Sequence, residues 1–547
     1  MGSLKKHKQF KEVKGYLYDS PEPGLKSMLT TILAVLAGLI AIGFILKRNL
    51  PPNRLPADAI PPLTDRGKKP VVMIVVDSLM DTPLREAMQI GKAPAMEFLS
   101  RHGMYFPQVV SSFPTMSVCI DSTLLTGTHP NEHRIFGLTY YHPEERRVIN
   151  FGTGLRESLA FGLRSVLRDG LQHLNQRFLS KNVRTIHEEY HGPTGSIGAM
   201  IFRGHRQVRL KLPLLPVLFG LVPRSVKAGT PEIFSLGSLH RLFPDSRPAG
   251  PFTRYGLNDK FSRMELVSLM RSGQLPPFTI VYFPKNDDAV HQKGPSWIEG
   301  IEMVDRELQE ILHAFPSWEE AIEQVTFIVV GDSGQAKVIP DRKEAYVDLR
   351  KRLKGWKIMP VRRKRPRAQD QIVLCVNERM AYLYPVADSP TSVEIARALK
   401  QENKLDVIAW KEDGWIHVYS GQREGKLQFR PGDRFTDEYG QTWDLIGDLP
   451  ILDLTVEEGN RIVCGVYPDV LARLHGVMDT AEQVVVVTVS PGYEMVGEKS
   501  PKHPGAAHGS LHQLDSLVPM IVCGTDRLPP SLRLIDFKRW ILELLSE

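Results

Sequence analysis

The sequence predicts an α/β fold with a doubly wound, mostly parallel sheet and helices on both faces, and two observations carry that expectation. Runs rich in Val, Ile and Phe recur without polar alternation in PVVMIVV, PFTIVYF and QVTFIVV, as strands covered on both faces require. Each run stops at or shortly before an aspartate, Asp77, Asp287 or Asp332, and open α/β sheets bind ligands beyond the carboxyl ends of their strands. Any one of these aspartates alone reads equally well as a helix N-cap. Three at one sheet edge repel each other unless cations lie among them, so the pattern predicts bound metal.

From the N-terminus, residues 1–27 form a basic tail with Lys5, Lys6, Lys8, Lys11, Lys14 and Lys26. Residues 28–46, MLTTILAVLAGLIAIGFIL, carry no charge and are long enough to cross a bilayer as one helix. No small-residue cleavage site closes this run, so it is expected to remain as a signal-anchor. The basic tail then lies in the cytoplasm and the bulk of a single-pass cell-membrane protein lies outside it. Residues 47–69 are a Pro-rich linker, and residues 70–547 are long enough for one large α/β domain with insertions near 155–251 and 338–480.

The strand ending at Asp77 leads into a helix. After Pro114 a second helix begins near Ser117, with Val118, Ile120, Leu124 and Leu125 spaced for one face. A hydroxyl there faces the positive end of a helix. Within the first insertion, LKLPLLPVLFGLVP (210–223) is apolar and flanked by Arg209, Arg224 and Lys227. It reads as a core segment, the alternative being a loop that dips into a membrane interface. Residues 351–367 hold nine basic residues and no acid, so the net charge of +7 is local in origin. Behind a membrane anchor this segment reads as a solvated loop, or as a site for anionic lipid or wall polymer, rather than as a dedicated nucleic-acid patch. Residues 371–453 alternate as strands near 372–376 and 381–384, a helix near 391–401 and a hairpin at 407–419. The main sheet is expected to resume with VVVVTVS (484–490) and LVPMIVCG (517–524). Cys119, Cys375, Cys464 and Cys523 are widely spaced and read as buried thiols. The absence of an N-x-S/T sequon favours a bacterial envelope over a eukaryotic secretory route.

Four separated blocks, MIVVDSL, FPTMSVCIDSTLLTGTHPNEH, FPKNDDAVHQKGP and GDSGQ, followed by AAHGSLHQ, together resemble the nucleotide pyrophosphatase/phosphodiesterase family (type I phosphodiesterases) of the alkaline phosphatase superfamily. The resemblance implies an alkaline-phosphatase-like fold and a metal-dependent hydrolase of phosphate esters, diesters before monoesters. It places Ser117 at the nucleophile position. Asp287, His291 and His508 then give one ligand set with an open position, as catalytic zinc prefers, while Asp77, Asp332 and the Ser117 oxygen give a second. Two divalent ions, zinc at the first set and zinc or manganese at the second, would activate the hydroxyl and stabilise the leaving oxygen.

Two positions depart from the family pattern. Ser333 stands where the family has a metal-binding histidine, and Leu138 stands where nucleotide-cleaving members have an asparagine, with Arg134 as the nearby replacement donor. The competing readings are a sulfatase or phosphoryl-group transferase on the same fold, and a non-catalytic envelope protein that binds anionic polymer or lipid. His129, His133, His503 and His512 lie near the same blocks and are given no ligand role.

Overall fold

The computed structural model describes residues 69–243, 251–478 and 483–546. The apolar span 28–46, with the tail and linker around it, lies outside them; among the described residues no helix is long and apolar enough to cross a membrane. The strands that matter for the site are β1 (Val71–Val76), β2 (Met104–Val110), β3 (Thr194–Ile197), β4 (Ile233–Ser235), β5 (Phe278–Phe283), β6 (Thr326–Gly331), β7 (Ile372–Asn377), β8 (Met380–Pro385), β9 (Leu405–Glu412), β10 (Val485–Val489) and β11 (Leu517–Cys523). The helices around them are α1 (Asp81–Gln89), α2 (Pro94–Arg101), α3 (Ser117–Thr126), α4 (Asp259–Arg271), α5 (Lys285–Lys293), α6 (Glu299–Leu312) and α7 (Phe537–Ser546).

The central sheet has seven strands in the order β2-β11-β6-β1-β5-β3-β4. Strands β6, β1, β5, β3 and β4 run parallel, while β11 is antiparallel to both β6 and β2, so the sheet is mixed. Alternate residues of β1 serve opposite faces. Val72, Ile74 and Val76 pack with Leu84, Met96, Leu266 and Val304 from α1, α2, α4 and α6. Val71, Met73 and Val75 join Val118, Ile120, Trp540 and Ile541 from α3 and α7. Burial on both faces is why these strands read as unbroken apolar runs.

Two expectations are corrected. The run Val485–Val489 does not rejoin the central sheet; it lies between β8 and β9 in a second, nine-stranded and largely antiparallel sheet. An apolar run reports burial on both faces but not which neighbours supply it. Residues 155–251 also do not stand wholly apart as a cap, because β3 and β4 extend the central sheet; four and three residues are too short to show a period.

Residues 210–223 are partly core and partly exposed. Leu210, Leu212 and Val222 are buried, but the turn at Leu218 and Phe219 is 55% and 60% exposed. In the basic segment, Arg363 is paired with Asp370 and Arg352 with Glu402, leaving Lys351, Lys354, Lys357, Arg362, Arg365 and Arg367 on the surface.

Candidate active site

Register brings the aspartates together. Val76 is level with Phe283 on one side and Gly331 on the other, so Asp77 and Asp332 leave the sheet side by side. Gly331 lets the turn after β1 close over this edge, since an added Cβ would lie 2.6 Å from the Leu79 carbonyl. Within that turn Ser78 adopts a left-handed φ of 58°. Its amide donates to Asp332 Oδ1 at 2.9 Å and its hydroxyl to Asp287 Oδ1 at 2.8 Å. Asp287 lies in the first turn of α5, which starts directly after β5, and His291 follows one turn later on the same helix face.

Asp287, His291 and His508 form a compact group, with one ligand atom from each within 4.8 Å of the others. His291 Nδ1 donates to the Ala506 carbonyl at 2.8 Å, and His508 Nδ1 donates to the Thr115 carbonyl. These bonds fix the tautomers and aim both Nε2 atoms at Asp287, at 3.2 and 3.7 Å. Burial lowers the His291 pKa, but Asp287 and Glu378 outweigh it and hold the imidazole up at about 10. Burial likewise pushes Asp287 up, and His291 and His508 overcome it, keeping this carboxyl below its ordinary range.

Asp77 and Asp332 are joined through Tyr282, whose hydroxyl lies 2.6 Å from Asp77 Oδ2 and 3.2 Å from Asp332 Oδ2. Asp332 Oδ1 accepts from the amides of Ser78 and Ser333. Asp77 Oδ1 is buried with no hydrogen-bond partner. Burial, together with the neighbouring carboxylates, raises Asp77 well above the usual carboxylate range, and burial raises Asp332. Asp121, on α3 one turn beyond Ser117, is pushed up to about 8 by burial and by Asp332.

Ser117 is the half-buried first residue of α3. It stands two residues after Thr115, whose hydroxyl accepts from the Gly509 amide at 2.7 Å and whose carbonyl holds His508. Ser333 Oγ, in the place of the expected imidazole, lies 3.3 Å from Ser78 Oγ. The segment around Leu138 is clipped to Asn377, which bonds both the amide and the carbonyl of Thr139. The Arg134 guanidinium lies 5.6 Å from the centre of the Phe136 ring.

Sequence reasoning missed several neighbours of this site. Glu378, in the turn between β7 and β8, reaches within 3.8 Å of His291, His503 and His508. His503 stacks on His291 with ring centroids 4.0 Å apart and pairs with Glu494 at 2.8 Å. Gln335 donates to both Ser78 and Asp287. Tyr282 sat inside an apolar run and Glu378 inside an ordinary polar turn. The available signal for Glu378 was a tight turn, NERM, that contains no glycine between two apolar strands. His133 is a core residue bonded to Thr123 and to the amide of Ile135.

A family model described as type I phosphodiesterase/nucleotide pyrophosphatase matches residues 71–511. Among solved structures, the chain is similar to murine ectonucleotide pyrophosphatase/phosphodiesterase 5, in an inactive form in complex with AMP. The identity is 13%, the TM-score 0.51, and the match covers 88% of this chain and 95% of that one. It is also similar to phosphonoacetate hydrolase from Sinorhizobium meliloti in complex with phosphonoformate, at 16% identity and TM-score 0.53, over 87% of this chain and 96% of that one. At such identities the structures show a shared alkaline-phosphatase-like fold. No curated protein sequence matches the chain. The family model spans β1 to β10, the helix at Ser117 and the histidines, and the chain belongs to the type I phosphodiesterase/nucleotide pyrophosphatase family of phosphoric ester hydrolases.

Proposed function

We propose that this chain is a membrane-anchored, metal-dependent phosphodiesterase in which Ser117 is the nucleophile and divalent ions are held at two adjoining sets of ligands. The observation that carries the reading is the convergence of Asp287, His291 and His508 beside the Asp77 and Asp332 carboxylates. The residues fit the ions. The first set offers one carboxylate and two imidazoles with fixed tautomers, a donor set suited to zinc. The second, Asp77, Asp332 and Ser117, offers oxygen alone, including the unpartnered Asp77 Oδ1, which favours a harder ion such as manganese. Bound there, divalent ions supply a lowered hydroxyl pKa and compensation of negative charge on the phosphoryl group.

The chain's own part follows from its geometry. The first turn of α3, with Ser117 as its first residue, offers its positive end to a phosphate anion. Ser117 Oγ loses its proton and attacks phosphorus, one ester oxygen leaves with a proton, and a seryl phosphate that keeps the diester's second ester group remains. Water then cleaves the serine–phosphate bond, releasing the phosphate product and restoring the hydroxyl. Leu138 offers no polar donor, so a phosphate oxygen on that side gains nothing from it.

The membrane reading rests on the apolar span 28–46, with the catalytic domain outside the cytoplasm. It is supported by the exposed Leu218–Phe219 turn, set among the exposed bases Arg209, Lys211, Arg224 and Lys227, and by the exposed bases of 351–367 as a contact for anionic lipid or wall polymer.

The test is hydrolysis of bis-p-nitrophenyl phosphate and p-nitrophenyl phosphate by purified protein before chelation, after it, and after return of zinc or manganese. The reading expects metal-dependent cleavage with the diester ahead, and a loss of at least about a thousandfold in Ser117→Ala. Hydrolysis that survives both chelation and the substitution would refute it.

A further inference from the structure

We infer that the rim around the catalytic edge is a membrane-docking surface, on which Leu155, Leu159 and Trp297, set among Lys293, Lys499 and Lys502, seat in an anionic lipid bilayer. This rests on the anchored reading above and deepens it by naming the face that meets the lipid. The middle of the rim is the segment 499–505. It reaches the site directly, since His503 stacks on His291 with ring centroids 4.0 Å apart and the Gly505 amide donates to the His291 carbonyl at 2.9 Å. On one side the Gly505 backbone packs so tightly on Gly294 that an added Cβ would overlap it. Trp297 follows shortly after Gly294, and its amide donates back to the Gly294 carbonyl at 3.2 Å. On the other side a Cβ added at Gly154 would lie 3.4 Å from the Pro501 ring, and the helix Leu155–Phe161 starts at the next residue. Both apolar groups thus flank one segment that contacts a proposed metal ligand.

Burial of their neighbours makes their exposure informative. The helix Leu155–Phe161 buries Glu157, Ser158 and Phe161, yet Leu155 and Leu159, one turn apart, are 73% and 58% exposed. Trp297 is 37% exposed, with the Lys293 ammonium 5.5 Å from the centre of its ring. Single apolar side chains at a surface are ordinary, but a leucine pair and a tryptophan on either side of one active-site segment mark an interaction surface.

The charge around them is positive. Lys293, Lys499 and Lys502 are exposed. The neighbouring acids are already matched, Glu498 to Arg350 at 3.3 Å and to the Val361 amide at 3.0 Å, and Asp288 to Arg254. The basic segment 351–367 joins the same rim, because the Lys364 ammonium lies 5.9 Å from the centre of the Phe161 ring. Exposed Leu and Trp among lysines suit the boundary between headgroups and acyl chains, and anionic lipid attracts each base. The tether permits it. Residues 47–69, fully extended, reach at most about 80 Å, several times the roughly 20 Å of a six-residue strand such as β1, so either end of the sheet can face the bilayer.

The test reconstitutes the full chain in nanodiscs of phosphatidylserine or phosphatidylcholine carrying a spin-labelled lipid, and reads quenching of tryptophan fluorescence. Subtracting Trp297→Phe isolates the share that Trp297 contributes. That share is expected to be quenched in phosphatidylserine discs, and the docked population to fall by about tenfold or more when Lys499→Glu and Lys502→Glu are combined. Leu155→Ser with Leu159→Ser is expected to lower it by a similar factor. Thermal unfolding at the parent's temperature shows that these surface variants fold. Co-elution with the discs but equal quenching in the parent and Trp297→Phe overturns the docked rim and leaves the anchor standing. Trp297 quenching that is the same in phosphatidylcholine discs and in the lysine variant overturns anionic lipid as the partner. A full chain that co-elutes with neither kind of disc overturns rim and anchor together. None of these readouts depends on hydrolysis or on Ser117.

Discussion

Tyr282 sets the state of the two sheet-edge aspartates. Its single hydroxyl proton is shared between Asp77 Oδ2 and Asp332 Oδ2, and removing it leaves two buried carboxylates without their bridge. Tyr282→Phe is therefore expected to destabilise the metal-free protein by about 1–3 kcal/mol, with added manganese or zinc recovering much of the loss; urea unfolding with and without metal measures it. A Tyr282→Phe variant as stable as the parent without metal would contradict this role.

A second prediction at this scale concerns Glu157. It is buried, its Oε2 has no partner, and burial raises its pKa to about 7 from an ordinary 4.5. A carboxyl raised on folding holds its proton more tightly in the native state, so its contribution to stability falls as pH rises from about 4.5 to 7. Glu157→Gln should flatten that slope and stabilise the protein at pH 8 by roughly 2–3 kcal/mol, as read from urea unfolding at pH 5 and pH 8. An unchanged slope would remove Glu157 from the account. Of the residues gathered at the site, the proposed ligands Asp77, Asp287, His291, Asp332 and His508 were picked out from strand runs and spaced motifs. Glu378 and Tyr282 were not, because only the pairing of distant strands gives a polar turn or an in-run tyrosine its role.

Among the elements, β1, β5 and β6 were legible because burial on both faces imposes unbroken apolar composition. Strands β7 and β8 were legible near 372–376 and 381–384, and the hairpin expected at 407–419 is formed by β9 and the strand Trp415–Tyr419. Val485–Val489 carries the same composition as β1 yet belongs to the other sheet, since partner choice depends on contacts far away in sequence. The segment 210–223 shows the opposite ambiguity. Its apolar content suggested core, while the turn at Leu218 and Phe219 is exposed beside basic residues. If that turn seats in an anionic membrane surface, Leu218→Ser with Phe219→Ser should weaken binding of the protein lacking residues 1–52 to phosphatidylserine vesicles by at least about tenfold, given roughly 1.5–3 kcal/mol per buried side chain. Sedimentation with vesicles measures this, and equal binding by parent and variant would exclude the turn as a membrane contact.

For the molecule as a whole, the proposed ligands are drawn from Asp77 to His508 and meet at one sheet edge, and the second sheet supplies the turn that sets Glu378 beside His291, His503 and His508. The domain is thus held around its site by contacts of very long sequence separation, which residue patterns announce only as isolated blocks. The central claim is that this edge directs the Ser117 oxygen onto phosphorus. It is tested most directly by acid-quenching the metal-loaded protein during turnover of a phosphate ester and sequencing the phosphorylated peptide by mass spectrometry. The account predicts the substrate's phosphoryl group on Ser117, still bearing its second ester where the substrate is a diester, and none in the Ser117→Ala variant; turnover with no such adduct in that peptide, and undiminished in the variant, would contradict it.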